Sequence, residues 1–67
     1  MKLIDAKWNN AQKKIEYTYL ADAESDVKAP AEDCAIGSQI LVIDTGAAFV
    51  KNTAGKWQKL GTKEVLA

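Results

Sequence analysis

The sequence predicts a small, mostly β domain: an antiparallel meander, closed as an SH3-like barrel or left as an open sheet, with a long loop or arm over residues 21–38. Three observations predict it. Residues 13–22 (KKIEYTYLAD) alternate apolar and polar side chains with period two, the mark of a half-buried strand. Residues 39–44 (QILVID) are a β-branched and aliphatic run between Gly37-Ser38 and Thr45-Gly46, a strand bounded by turn signals. Beyond it, short apolar runs are separated by turn residues, as in a chain of hairpins.

In order along the chain, residues 3–12 (LIDAKWNNAQ) are ambiguous: they can form a short strand followed by a turn at Asn9-Asn10, which would put Trp8 on the Tyr17 side of a first hairpin. In 13–22, Ile15, Tyr17 and Tyr19 point one way and Lys14, Glu16 and Thr18 the other. Tyr, Thr and Ile are all strand formers. Residues 21–38 (ADAESDVKAPAEDCAIGS) hold no aromatic residue and only Val27, Cys34 and Ile36 as sizeable apolar side chains. They can support one helical turn near 23–28, which Ala29-Pro30 would end. A loop of this length is uncommon in a compact domain unless it is functional or binds something, so Val27 and Pro30 are candidate contact residues; the alternative is a disordered surface loop.

The 39–44 strand looks apolar on both faces, Ile40 and Val42 on one, Leu41 and Ile43 on the other. It should therefore be central or sandwiched. Residues 47–52 (AAFVKN) form the next strand, NTAG (52–55) a turn with Gly55 in a left-handed position, and KWQKL (56–60) a third strand. Phe49 and Trp57 can meet across neighbouring strands. Lys51, Lys56 and Lys59 are expected on the solvent side, where they would deter edge pairing. TKEVL (62–66) can add one more short strand after Gly61.

Size and composition bound the function. Sixty-seven residues make one domain at most, and a chain this short buries only about 60% of its unfolded surface. Cys34 is the only cysteine and there is no histidine, so no intrachain disulfide forms and no thiolate–imidazole metal site is expected. Partner subunits remain as the source of added stability. Nine basic residues balance nine acidic ones, which gives no basic surplus to hold phosphate; a small nucleic-acid-binding barrel is correspondingly disfavoured. No apolar run reaches the roughly 20 residues a membrane helix needs, and MKLIDAKWNN turns polar after Ile4, unlike a secretory signal. The expectation is a soluble chain made in a cytoplasm.

Asp44-Thr45-Gly46 follows two aliphatic residues, as in the catalytic strand of the retropepsin family. That resemblance implies a dimeric aspartic peptidase with Asp44 as the catalytic carboxylate, two of which share a proton, and Thr45 as its supporting hydroxyl. The motif lacks its context, since no glycine-rich flap separates it from QKLG, the nearest candidate for a closing strand. Asp and Gly are also favoured at turns. As a hairpin corner, Asp44 would accept a backbone N–H two residues on, and Gly46 would take positive φ without steric cost. No other catalytic set is visible. Ser25, Ser38 and Cys34 have no histidine to activate them, and Cys34 reads as a small buried apolar residue.

The longer unit AIGSQILVIDTGAAFVKNTAGKWQKL (35–60), with the prelude KAPAEDCAIGS, resembles a segment of small virion-associated proteins of tailed bacteriophages: capsid decoration or head-fibre-type proteins and tail-fibre modules. It departs at Ala48, where a bulkier residue is usual. The resemblance implies a non-enzymatic structural protein located in the virion. Its partner would be a major capsid protein or fibre, and it would be a homo-oligomer or lattice-bound. No catalytic, cofactor or metal residues are expected, nor a nucleic-acid or membrane partner. The candidate interaction residues are Tyr17, Tyr19, Val27, Pro30, Phe49 and Trp57, since aromatic anchors dominate interfaces.

Overall fold

The computed structural model describes residues 1–66. Five strands form one sheet in the order of the chain: β1 (Lys2–Asn9), β2 (Lys14–Ala21), β3 (Gln39–Val42), β4 (Ala48–Lys51) and β5 (Trp57–Lys59). The fold is mostly β, as expected, and the sheet stays open instead of closing into a barrel. β3 is the central strand. A single bridge, Gln58 to Val65, is all that TKEVL adds.

β1 and β2 form the expected first hairpin, with Trp8 opposite Ile15 and Ala6 opposite Tyr17, and a bulge between Leu3 and Asp5. Opposed residues share a face, so Trp8 does lie on the Tyr17 side. The turn spans Asn10 to Lys13 and is closed by Lys13 N–H to Asn9 O at 2.8 Å. The Asn9 side chain accepts the Gln12 N–H at 3.0 Å. β3, β4 and β5 are the expected antiparallel meander.

One pairing departs from the meander. β2 and β3 run parallel, from Thr18 opposite Gln39 to Ala21 opposite Val42. Parallel neighbours need a long crossover, and residues 22–38 supply it. That segment is a loop, but it lies over the sheet instead of extending from it. It holds one 3-10 turn, Glu24–Asp26, within the stretch where a helical turn was expected. Cys34 and Ala35 are fully buried, and Val27 and Ala29 pack on the core.

The core is therefore one face of the sheet roofed by the crossover. Tyr19, Ala21, Ile40, Val42, Phe49 and Trp57 point into it. Fully burying a side chain such as Phe49 contributes roughly 1.5–3 kcal/mol. Phe49 and Trp57 share this face but are not directly opposed: Lys59 faces Phe49 and Lys51 faces Trp57. The stacked aromatic pair is instead Tyr17 with Tyr19, at 5.9 Å between centroids.

The register also corrects the lysines. Lys51 and Lys59 lie on the core face, not the solvent face, and reach up to the roof. Lys51 Nζ donates to Cys34 O at 2.8 Å, and Lys59 Nζ to Glu24 Oε1 at 2.6 Å. Alkyl stems that line a core while their ammonium ends find polar partners at its rim explain the placement. Lys56 is exposed, as expected.

Candidate interaction surface

Among the described residues nothing roofs the other face of the sheet. Register places Leu20, Leu41 and Ala48 in one row across β2, β3 and β4. Gln39, Val50, Gln58 and Val65 make a second row. Ile43 and Leu60 come one residue past β3 and β5, where their N–H groups still bond to Ala21 O and Ala48 O; continued alternation puts both on the same face, and they are 59% and 68% exposed. Leu20, Leu41, Ala48 and Val50 are half-buried. A hollow of about 180 Å³ opens here between Val50, Asn52, Gln58 and Leu60. Its polar rim is internally satisfied: Asn52 Nδ2 donates to Gln58 Oε1 at 2.9 Å and Gln58 Nε2 to Thr62 O at 2.6 Å. Apart from the exposed Gln39, what this part of the face offers a partner is apolar surface, and exposed apolar patches mark interaction sites.

The six candidate residues lie elsewhere. Tyr19, Phe49 and Trp57 are buried in the core, so they hold the domain together and are not free to anchor a partner. Tyr17 and Val27 are half-buried against that core. Pro30 is half-buried on the crossover and lines a shallow hollow of about 410 Å³ with Met1, Lys28 and Glu32. Aromatic content pointed at the core. The signal for the open face was the doubly apolar 39–44 strand, whose Leu41–Ile43 side has no covering layer.

Ser38, Cys34 and Tyr19 are spent on structure. Ser38 is fully buried; its Oγ donates to Ala35 O at 2.7 Å and accepts the Tyr17 N–H at 3.0 Å. Burial raises the Cys34 thiol pKa, and the residue is 1% exposed, an inert setting. Burial, then the neighbouring Cys34 and Glu32, raises Tyr19 well above the ordinary phenol value, and its hydroxyl donates to Glu32 Oε1 at 3.2 Å. Among the described residues no cluster of three or more His, Cys, Asp or Glu could hold a metal ion, and no helix is long and apolar enough to cross a membrane.

Asp44 is exposed in the turn joining β3 to β4, with its own N–H on Asp22 O at 3.2 Å. It is a hairpin corner, not a carboxylate held beneath a flap. Gly46 takes the expected positive φ of 69°. The turn's side-chain acceptor is Thr45, not Asp44: Thr45 Oγ1 takes the Ala47 N–H at 3.3 Å. Comparison with known proteins gives no match, whether to a family model, a curated protein or a solved structure.

Proposed function

We propose that this domain is a non-enzymatic assembly protein of a virion, made in a host cytoplasm, that docks on a capsid or fibre lattice through the open face of its sheet. The observation that carries the docking is the uncovered apolar face formed by Leu20, Leu41, Ile43, Val50 and Leu60. The resemblance of residues 35–60 to virion-associated proteins supports the choice of partner. A lattice protein presents the same surface many times, so even a small apolar face gains strength when copies bind side by side. The Ser38 hydroxyl, the Cys34 thiol and the Tyr19 phenol are engaged internally, which fits a binding role better than turnover.

Co-purification tests it. Particles banded from a lysate producing this chain are probed for it by mass spectrometry. They are then stripped and re-exposed to the purified domain or to its Leu60→Glu variant. The reading expects the chain in the band, rebinding of the unsubstituted domain, and rebinding weakened about tenfold or more by the substitution. A band free of the chain overturns it.

A further inference from the structure

Two edges bound the sheet, and they are treated differently. The β5 edge is closed by the chain itself: Lys59 N–H donates to Glu64 O and Leu66 N–H to Trp57 O, each at 2.8 Å. The β1 edge has no neighbour among the described residues. β1 is also bare on both faces. Every residue from Lys2 to Trp8 is exposed, including Leu3, Ile4 and Trp8, the last by 59%. A strand held by one neighbour and covered on neither face is an open template for another strand.

We propose that β1 pairs antiparallel with β1 of a second copy, about a twofold axis at Ala6 perpendicular to the sheet. The argument is charge complementarity. Centred on Ala6, the register sets Asp5 against Lys7 of the second copy and Lys7 against its Asp5. It also sets Ala6 against Ala6 in the middle, and leaves the bulge between Leu3 and Asp5 outside the central pairs. Opposed opposite charges stabilise a ladder and opposed like charges weaken it. A perpendicular axis keeps each face of the sheet on one side, so only registers centred on a residue are compatible with the pleat. Moving the centre to Asp5 puts aspartate on aspartate; moving it to Lys7 puts lysine on lysine. A centre at Ile4 brings the bulge itself onto the axis. Edge charges ordinarily deter pairing; here they deter the neighbouring registers and favour one.

The product is a ten-stranded sheet with both open apolar faces on the same side. It goes beyond the virion reading and does not need it, since a domain of any role could pair in this way.

Light scattering on a sizing column, over a concentration series, reads the mass directly. The unsubstituted protein is expected to double in mass with concentration. Asp5→Lys and Lys7→Asp each create two like-charge pairs and should raise the dimer dissociation constant by about tenfold or more. The double swap, Asp5→Lys with Lys7→Asp, should restore it. Both sites are exposed, so the circular dichroism of every variant should stay unchanged. A monomer at all concentrations overturns the pairing. So does a dimer indifferent to both single swaps, and Leu60→Glu then tells whether the open face makes that dimer instead. A monomer that still binds banded particles overturns the pairing alone; a charge-dependent dimer absent from particles overturns the virion reading alone.

Discussion

Ser38 fixes three parts of the chain with one hydroxyl. It accepts from Tyr17 on β2 and donates to Ala35 on the crossover, while its own backbone N–H also reaches Ala35 O at 3.1 Å, just ahead of β3. Removing the hydroxyl leaves the Tyr17 N–H without its partner at a site where Ser38 is fully buried. A buried donor left unpaired costs about 1–3 kcal/mol. Ser38→Ala should lower unfolding free energy by that amount in a denaturant titration. A change within experimental error would show that the crossover relaxes to let water reach the N–H. Nothing in the local sequence marks Ser38 this way. Gly-Ser before an apolar run is legible as a turn, but the hydroxyl's partner is 21 residues away in sequence, a separation that local pattern does not encode. Aromatic residues show the opposite limit. Their size made Phe49, Trp57 and Tyr19 conspicuous, yet size alone does not distinguish a core anchor from a partner anchor.

At the scale of elements, the strands were legible and one pairing was not. Alternation in 13–22 and the aliphatic run at 39–44 tell which face each residue takes, because side-chain direction has period two. They say nothing of which strand lies alongside. The parallel β2–β3 contact depends on the crossover, and the crossover depends on long-range ties such as Lys59 to Glu24, 35 residues apart. That pair makes the roof sensitive to pH. The hydrogen bond from Lys59, with its charge, holds the Glu24 carboxyl below its ordinary range, and the same bond raises Lys59. A lowered carboxylate contributes stability in full above its unfolded value and loses it as pH falls through the folded one. A raised lysine contributes below its unfolded value and loses it as pH rises through the folded one. Thermal midpoints should therefore fall less on acidification in Glu24→Gln than in the unsubstituted protein. The difference is expected to shrink at high salt, since the pair is partly exposed. Equal acid losses in the two proteins would mean that the roof is held by the buried contacts of Cys34 and Ala35 alone.

Across the whole molecule, a single layer of sheet faces two environments, and the chain through β3 and the first residue past it samples both. Ile40 is fully buried under the crossover, while Ile43 on the opposite face is 59% exposed. Truncating Ile40 to Ala leaves a cavity beneath the roof and should cost about 2–5 kcal/mol. Replacing Ile43 and Leu60 together by lysine removes only surface that water already reaches. Surface changes of this kind usually stay within about 0.5 kcal/mol. Measured side by side in urea, the first variant should unfold far earlier and the second should keep the native midpoint. The same double lysine variant is then the decisive sample for docking, because its fold is intact and its open face is charged. If it still rebinds stripped particles as the unsubstituted domain does, the open face is not the docking surface. If it rebinds poorly at unchanged stability, the apolar residues on that face serve a partner and not the fold.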